Sequence, residues 1–338
     1  MSNLAKRDKL TQRQKKQIQK NQRNRATSEN EVKTMGDLGA KKQGCMVSRF
    51  GEQADVLDVE SGKISRCFLR QHLGSPVPGD RVYFRVSTNG QGVVESIEER
   101  RSLLQRPSPH QGIKPVVANI DVAFIVVAPL PDFSSVLLDR YLIAIENAGI
   151  NITIIANKWD LSLEIDQQSI EQHLARYSQI GYSTLRISTK QDIGKKDLQQ
   201  SLSQHTSILV GQSGVGKSSI INWLFPSKAL STQAISENSR LGQHTTTASQ
   251  LFFLNEDYDN GGFIIDSPGI REFGLWHLDN DQIASGFREF RPYLGRCKFR
   301  DCQHQNEPGC EIRKAVENEV ISRTRWQNYL KILSNNAL

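Results

Sequence analysis

Residues 211–218 have the sequence Gly-Gln-Ser-Gly-Val-Gly-Lys-Ser, which matches the pattern G-x-x-x-x-G-K-[S/T]. The apolar residues 207–210 precede it, and the helical pattern of residues 219–225 follows it. Glycines let such a loop turn its backbone N–H groups toward phosphate oxygens, and the helix that follows adds partial positive charge. A strand, a loop and a helix in this order predict a phosphate-binding loop within a parallel α/β sheet.

Two side chains at the end of this loop are predicted to act on a nucleotide. Lys217 is expected to reach the β- and γ-phosphates as part of the catalytic machinery, and the Ser218 hydroxyl is expected to bind Mg²⁺. The whole set of predicted phosphate contacts is Gly211, Gln212, Ser213, Gly214, Val215, Gly216, Lys217, Ser218 and Ser219.

A second motif follows the apolar stretch 152–156 and predicts recognition of guanine. It consists of Asn157, Lys158, Trp159 and Asp160. The Asp160 carboxylate can accept hydrogen bonds from the N1–H and the exocyclic amine of guanine, a donor pair that adenine lacks, so such a site rejects the wrong base strongly. Residues 188–190 (Ser-Thr-Lys) follow another apolar stretch and form a weaker candidate for a loop that backs the base.

Residues 266–269 (Asp-Ser-Pro-Gly) follow the apolar stretch 263–265. The Asp266 carboxylate can hold Mg²⁺ through water, and the Gly269 amide can sense the γ-phosphate. This short motif is weak alone, because a plain turn has the same composition. Beside a phosphate loop it predicts part of the nucleotide site.

The switch and the catalytic residue are predicted in residues 242–247 (Gly-Gln-His-Thr-Thr-Thr). Thr246 is the favoured ligand for Mg²⁺ and the γ-phosphate, and Thr245 is the next choice. The residue after Gly269 is Ile270, whose aliphatic side chain cannot orient water. His244 is therefore the candidate that orients or deprotonates the attacking water; a solvated loop histidine is the alternative.

The order of these motifs is unusual. Common GTPases place the phosphate loop before the guanine motif, whereas here residues 157–160 precede residues 211–218. All these loops would meet at one edge of a parallel sheet, so the site can be assembled in either order. The sequence predicts a circularly permuted GTPase domain.

A cysteine and histidine cluster lies nearer the C-terminus. Three thiols and one imidazole in the spacing C-x4-C-x-H-x5-C make a complete tetrahedral set, which predicts one structural Zn²⁺. Because no ligand position is left open, a catalytic zinc is not expected. The predicted ligands are Cys297, Cys302, His304 and Cys310.

The positive charge of the chain is concentrated at one end. Residues 1–33 contain ten Lys or Arg and three Asp or Glu, which equals the whole net charge of +7. A segment this polar cannot bury enough apolar surface to fold alone, so residues 1–35 are predicted to be a disordered basic arm. Such arms bind phosphate backbones; a solvated tail is the alternative.

Composition and pattern divide the rest of the chain. Short apolar stretches separated by turn residues predict five strands and a small barrel over residues 36–105, OB-like or SH3-like. The proline-containing residues 100–115 are expected to be a linker. Alternating strands and helices predict the central domain over residues 106–277, and the metal cluster with an amphipathic helix near residues 320–333 forms the block 278–338.

These motifs, in this order, resemble the RsgA family, the circularly permuted bacterial GTPases of small-subunit ribosome maturation. The resemblance covers residues 36–338 and implies an N-terminal OB domain, a central GTPase domain and a C-terminal helical zinc domain. It also implies binding to the 30S subunit and 16S rRNA, with GTP hydrolysis stimulated by the ribosome. The histidine of the family's H-T-T-T motif falls on His244.

Several classes of protein are not expected from this sequence. The longest apolar run, residues 122–130, is too short to cross a bilayer, and the basic start lacks the apolar core of a secretory signal. A cytoplasmic monomer without membrane contact is expected. Two rival functions remain open: an RNA-binding module that uses GTP only as an affinity switch, and an ATP-dependent transport or signalling protein in which residues 157–160 match by accident.

Overall fold

The structure is a computed structural model that describes residues 38–108, 112–161, 164–225, 250–253, 262–266, 275 and 277–336. The first five strands of this part of the chain close into a barrel in the order β1-β2-β3-β5-β4, in which β4 also pairs with β1. Its one parallel pair joins β3 and β5. This Greek-key order matches the OB-fold, and it resolves the choice between OB-like and SH3-like barrels. The strands are β1 (Lys42–Phe50), β2 (Gln53–Asp58), β3 (Ile64–Leu69), β4 (Arg81–Val86) and β5 (Gly92–Ile97).

The inside of the barrel is filled by alternate side chains of these strands. Met46, Val56, Phe84 and Val94 are all fully buried there. Because side chains of a strand alternate between its two faces, every second residue supplies the core while its neighbours face outward. A short 3₁₀ helix (Gln71–Leu73) lies between β3 and β4.

The expectation that residues 100–115 form a linker is wrong. Strands β6 (Leu103–Ser108) and β7 (Gly112–Ala118) pair with each other as an antiparallel hairpin. Proline argues against an inner strand because it lacks an N–H, but each strand of a two-stranded pair has a free edge where that N–H is not needed. Leu104 and Val117 are buried in the same core as the central sheet, so the hairpin is a packed element.

The central domain is built on a six-stranded sheet in the order β10-β9-β8-β11-β13-β12. Five of the strands are parallel, as predicted, and the edge strand β12 runs antiparallel to β13. All six residues of β8 are buried, as expected for a strand covered on both faces. The strands are β8 (Val122–Val127), β9 (Asn151–Ala156), β10 (Ser183–Arg186), β11 (Thr206–Val210), β12 (Gln250–Phe253) and β13 (Phe263–Asp266).

Helices cover the sheet and form the C-terminal block. The first of them starts after Ser134, whose hydroxyl accepts a hydrogen bond from the Leu137 N–H and so caps the helix. In the described residues no helix is long and apolar enough to cross a membrane. The helices are α1 (Ser135–Asn147), α2 (Glu164–Gln179), α3 (Lys195–Leu202), α4 (Lys217–Leu224), α5 (Asn280–Ser285), α6 (Glu311–Glu317) and α7 (Arg323–Asn336).

A buried carboxylate anchors Arg100, which follows the last barrel strand, and a close backbone contact at Gly79 holds the barrel against the central domain. Asp80 is fully buried and accepts two hydrogen bonds from Arg100, at 2.7 and 2.9 Å. Next to it, a Cβ added at Gly79 would lie 2.1 Å from the Ala118 carbonyl oxygen, so only glycine permits this approach. Val47 of the barrel shares a core with the central sheet.

Helix α1 is shared between the central sheet and the C-terminal block. Its Leu138 and Leu142 pack into the sheet core, whereas Ile143 packs into the core of the C-terminal block. On the same side as Ile143, Glu146 accepts hydrogen bonds from Arg288 at 2.5 Å and Arg291 at 2.6 Å. The C-terminal block therefore rests directly on a helix of the central domain.

A buried charge network completes this interface. Arg325 of α7 is 2% exposed and donates to Asp139 of α1, which is fully buried, and to Glu289 at 2.6 and 3.1 Å. Asp139 also accepts from Tyr177 at 2.6 Å and from Asn328 at 2.7 Å. Burial alone would lower the pKa of Arg325, but the two carboxylates hold it above its ordinary value, so the guanidinium stays charged.

We expect replacement of Arg325 to separate the two units. Arg325→Met leaves the Asp139 and Glu289 carboxylates buried without their cation, which should lower the free energy of unfolding by about 3–5 kcal/mol. Urea unfolding followed by circular dichroism measures this change.

The matched control is Arg313→Met, because Arg313 pairs with Glu317 at 3.7 Å on the surface. That loss should be below about 0.5 kcal/mol. Equal destabilisation by both substitutions would show that the buried network does not hold the C-terminal block.

Candidate functional site

The carboxyl ends of four parallel strands meet at one edge of the central sheet. The register pairs Val127 with Ala156 and Ile125 with Val210, so the residues that follow β8, β9 and β11 lie side by side. The chain runs from β8 outward to β9 and β10, and then returns to place β11 on the other side of β8. In open parallel sheets ligands bind at such a reversal, outside the carboxyl ends of the strands.

The predicted phosphate loop occupies this position. It leaves β11 at Gly211 and enters α4 at Lys217. Gly211 has φ +144°, and a Cβ there would lie 2.4 Å from the Val126 carbonyl oxygen of β8. Gly216 has φ +99°, and its Cβ would lie 2.4 Å from Asn157 Nδ2. Both positions therefore require glycine, because a side chain would collide with β8 or with Asn157 and because the backbone has a positive φ.

The polar groups of the loop are arranged for an anion. Ser213, Ser218 and Ser219 are exposed, so their hydroxyls are accessible from the edge of the sheet. The ammonium of Lys217 curls back over the loop and donates to the carbonyl oxygens of Gly211 at 2.6 Å and Gln212 at 2.8 Å. A charged ammonium held on the loop, at the start of a helix, gives this site a positive potential.

The predicted guanine motif is bonded directly to the phosphate loop. Asn157, which is 1% exposed, donates from Nδ2 to the Val215 carbonyl oxygen at 2.9 Å. The Lys158 ammonium donates to the carbonyl oxygens of Gly214 at 2.7 Å and Leu130 at 2.8 Å. Two segments that are distant in sequence thus form one continuous rim.

Asp160 lies two residues further along this rim and is tied to the third candidate loop. Its Oδ1 accepts a hydrogen bond from the Ser188 hydroxyl at 2.6 Å. The same hydroxyl accepts from the Gln191 N–H at 3.1 Å, and the Trp159 N–H donates to the Ile187 carbonyl oxygen. The weak signal at residues 188–190 therefore marks a loop that holds the Asp160 carboxylate in place.

Of the remaining predicted nucleotide contacts, Asp266 lies among the residues that the structure describes. Asp266 ends β13 beside β11 and lies opposite Gln250 of β12, half-buried at the same edge of the sheet. The other predicted switch and catalytic positions lie outside the described residues, as does the basic arm of residues 1–35. These positions are His244, Thr245, Thr246, Gly269 and Ile270.

A small, partly open cavity adjoins the phosphate loop. Gln212 and Val215 line it from the loop, and Phe133 and Tyr141 line it from the segment and helix that follow β8. Its lining is mostly apolar, with Asp132 as its charged residue, and it lies between the loop and α1.

The four predicted metal ligands come together in the C-terminal block. The Cys297 and Cys310 sulfurs lie 3.9 Å apart, and each is 3.5 Å from His304 Nδ1. All four ligand atoms, including Cys302 Sγ, lie within 4.8 Å of one another. Tetrahedral bonds of about 2.0–2.3 Å place ligand atoms roughly 3.5–3.8 Å apart, so the cluster fits one metal ion.

The chemistry of the cluster also favours a cation. Burial raises the pKa of Cys302 to about 12 and lowers the pKa of His304. The Cys302 thiol therefore favours its neutral form, and a metal ion that replaces its proton would remove the cost of burying the thiolate.

Neighbouring groups fix the backbone of this metal loop. Glu307 accepts hydrogen bonds from the N–H groups of Gln303, Gln305 and Asn306; burial alone would raise its pKa, but these bonds lower it below the ordinary value. From α7, Trp326 Nε1 donates to the His304 carbonyl oxygen at 2.9 Å, and the Tyr329 hydroxyl donates to the Gln303 carbonyl oxygen at 3.1 Å. Helix α7 thus holds both the metal loop and, through Arg325, helix α1.

Sequence reasoning missed several groups that shape these sites. The Leu130 oxygen that receives Lys158 belongs to the backbone, and no side-chain pattern points to it. Glu307 and Trp326 lacked a signal because their partners are backbone atoms within or beside a metal loop. Ser188 carried a weak signal, its position directly after an apolar strand.

Comparison with known proteins assigns this arrangement to one group. The family model described as RsgA GTPase matches residues 97–276. The small ribosomal subunit biogenesis GTPase RsgA 1 of Vibrio parahaemolyticus is 46% identical over 98% of this chain and 95% of that protein. The small ribosomal subunit biogenesis GTPase RsgA of Haemophilus influenzae (strain Rd) is 46% identical over 98% of this chain and 96% of that protein.

Two solved structures are similar over most of the chain. The crystal structure of YjeQ from Thermotoga maritima superposes with a TM-score of 0.72 at 30% identity and covers 88% of this chain and 99% of that one. The structure of YloQ, described as a circularly permuted GTPase, gives a TM-score of 0.67 at 26% identity and covers 90% and 96%. The motif order of this chain thus has a counterpart in a solved fold.

We expect Gly216→Ala to damage nucleotide binding selectively. The new methyl group would displace Asn157 Nδ2 and break its bond to Val215, so affinity for GDP should fall at least about tenfold, or 1.4 kcal/mol. Fluorescence titration with a labelled GDP measures this affinity.

Gly90→Ala is the matched control, since Gly90 has φ +85° but nothing within 4 Å of an added Cβ. It carries a similar backbone strain without the collision, and GDP affinity should stay within about twofold. Equal affinities for both variants would contradict the role given to the close approach of Gly216 and Asn157.

Proposed function

Because the chain belongs to the RsgA GTPase family, we propose that it is a GTP hydrolase acting in the late maturation of the small ribosomal subunit. The carrying observation is the direct contact of Asn157 and Lys158 with the phosphate loop. That contact supports binding of one ligand by both a base-reading motif and a phosphate-binding motif. The relatives named above support the assignment to the small ribosomal subunit.

We propose that the nucleotide is recognised at both of its ends. At the base, Asp160 accepts hydrogen bonds from guanine while the Ser188 hydroxyl holds the carboxylate in position. At the phosphates, the N–H groups of residues 211–219 and the Lys217 ammonium bind the oxygens, and the Ser218 hydroxyl binds the Mg²⁺ that accompanies GTP. Bound phosphates would replace the carbonyl oxygens that now receive Lys217.

Hydrolysis would rest on positioning and electrostatics rather than covalent chemistry. We assign Thr246 to Mg²⁺ and the γ-phosphate, and His244 to the attacking water. Asp266 would hold Mg²⁺ through water, and the Gly269 amide would contact the γ-phosphate. The location of Asp266 at the end of β13, beside β11, supports this arrangement.

The metal of the C-terminal block is proposed to be Zn²⁺ in a structural role. Three sulfurs and one imidazole nitrogen suit zinc, and four protein ligands close its tetrahedral shell. Cys297, Cys302, His304 and Cys310 would hold the ion. Because α7 contacts both this loop and α1, the ion would stabilise the surface on which the block meets the nucleotide domain.

The partner is proposed to be the 30S subunit, contacted at its 16S rRNA. Basic side chains lie over two aromatic rings on the barrel, the half-buried Tyr83 and the exposed Phe50. Lys41 Nζ is 4.2 Å from the centre of the Tyr83 ring, and Arg66 Cζ is 4.6 Å from that of Phe50. Such pairs can bind phosphates and stack on unpaired bases. The basic arm of residues 1–35 would add salt-dependent affinity.

The wider organisation follows from the same proposal. We divide the chain into the arm 1–35, the barrel 36–105, the GTPase domain 106–277 and the zinc block 278–338. A cytoplasmic monomer suits a ribosome assembly factor. The segment after Gly269 leads into the C-terminal block, so the nucleotide state could move that block and change its grip on the subunit.

The proposal predicts that purified 30S subunits stimulate phosphate release from GTP at least about tenfold. Ser218→Ala should abolish basal and stimulated release because the Mg²⁺ ligand is lost, whereas His244→Ala should keep GTP affinity and lose the stimulation. Phosphate release with and without 30S subunits, together with co-sedimentation in GTP or GDP, measures these effects.

Ser201→Ala is the control, since Ser201 lies on α3 and its hydroxyl bonds only to the Asp197 carbonyl oxygen among the described contacts. Binding to 30S without any release of phosphate would favour the affinity switch with negligible turnover. Loss of both affinity and turnover in His244→Ala would make that residue structural.

A further inference from the structure

The loop that follows β10 is fixed at its near end by the guanine motif. We call residues 188–194 the base loop. The Ser188 N–H and the Ile193 N–H each donate to the other residue's carbonyl oxygen at 3.1 Å, which closes the loop on itself. Ser188 then joins this closed loop to Asp160 at 2.6 Å.

The far tip of the base loop is fixed by a different element. Trp223 Nε1 of α4 donates to Asp192 Oδ1 at 2.6 Å. Asp192 has φ +57°, a conformation that Asp and Asn adopt more readily than most residues. Lys195 Nζ lies 3.8 Å from the same carboxylate oxygen and 5.2 Å from the centre of the Trp223 ring.

The indole is itself held firmly. Trp223 is half-buried and packs against the core cluster that contains Ile187 and Leu198. Ile187 directly precedes the base loop, and Leu198 lies on the helix that follows it. The ring therefore packs on a core to which residues on both flanks of the base loop contribute, and it also bonds to the tip of that loop.

Helix α4 connects this brace to the phosphate site. It begins at Lys217 and ends at Leu224, so Lys217 and Trp223 lie about 9 Å apart along one rigid helix. Movement of the phosphate loop and movement of the base loop are thus joined through a single short helix.

We propose that the bond between Trp223 and Asp192 is a latch that positions the base loop for guanine and slows release of the nucleotide. Trp223 is a positioning residue here, since it acts through Asp192, Ser188 and Asp160. This inference rests on the proposed guanine site and adds to it a determinant of how long the nucleotide stays bound. Guanosine diphosphate, the product of hydrolysis, is the ligand it retains.

The test compares three variants of the full-length protein. Trp223→Phe keeps an aromatic ring but removes the donor. Asp192→Asn keeps an acceptor and tolerates the same backbone conformation, but removes the charge. The double variant removes the donor and the charge of the acceptor, so its effect relative to the single variants reports their coupling.

Stopped-flow release of a fluorescent GDP is the main readout. Trp223→Phe should release GDP about two- to fivefold faster, as expected for a charge-assisted hydrogen bond whose carboxylate is 72% exposed. Asp192→Asn should produce a smaller increase. The double variant should release GDP no faster than Trp223→Phe alone, because both substitutions act on the same bond.

A second readout separates a latch from a general loss of structure. The single-turnover rate of hydrolysis of bound GTP should stay within about twofold of wild type in all three variants, since no hydrolytic group is touched. Asp197→Asn, an exposed carboxylate on α3, should leave both rates unchanged.

The outcomes distinguish this inference from the function on which it rests. A wild-type protein that fails to bind GDP would overturn the proposed function. A wild type that binds GDP would overturn the latch if Trp223→Phe released it at the wild-type rate. A double variant whose effect equalled the product of the single effects would also overturn it, as would hydrolysis that fell in step with faster release.

Discussion

The contact between the guanine motif and the phosphate loop is the constraint on which the rest of this structure depends. Asn157 and Lys158 donate three hydrogen bonds to backbone oxygens, two of them on the phosphate loop itself. Asn157 is buried, so losing its partner would leave a desolvated amide, at a cost of about 1–3 kcal/mol. Gly216 lacks a Cβ at the one place where such an atom would separate the two segments. This contact makes the motif order in the chain irrelevant to the geometry of the site.

Packing contacts also connect this edge of the sheet to the C-terminal block. Helix α1 begins just after the segment that receives Lys158, packs on the sheet with one face and carries Asp139 and Glu146 on the other. Helix α7 contributes Arg325, which donates to Asp139 of α1. The same helix holds the metal loop through Trp326 and Tyr329. A continuous series of packed elements thus runs from the phosphate loop to the metal cluster. An ordered metal loop and an ordered nucleotide site are expected to support each other.

Most of the architecture could be predicted from local sequence signals. Apolar runs predicted the strands of the barrel and of the parallel sheet, because a strand that is buried on one or both faces needs apolar residues at the buried positions. The motifs at residues 157, 211 and 297 carry their chemistry in short spacings, and the structure brings their members together. The hairpin β6–β7 was missed because proline usually excludes strands, and the exception depends on a free edge that only the folded chain defines.

Other features could not have been read from the sequence at all. The Asp139–Arg325 pair joins residues 186 positions apart, and the Trp223–Asp192 bond joins residues 31 apart; no periodicity links either pair. The antiparallel edge strand β12 is a four-residue stretch with no distinctive pattern. These are properties of the packed molecule, in which the partner of a polar side chain is chosen by topology.

The most direct test of one shared nucleotide site is a change of base specificity by Asp160→Asn. An asparagine at this position can still accept the hydrogen bond from the Ser188 hydroxyl. Its N–H₂ group, however, faces the exocyclic amine of guanine, which needs an acceptor. Xanthine has an oxygen at that position, which needs a donor. Affinity for GDP should fall at least about 100-fold while xanthosine diphosphate begins to bind, both measured by competition against a labelled nucleotide. Unchanged binding of GDP by Asp160→Asn would place the base elsewhere and contradict this account.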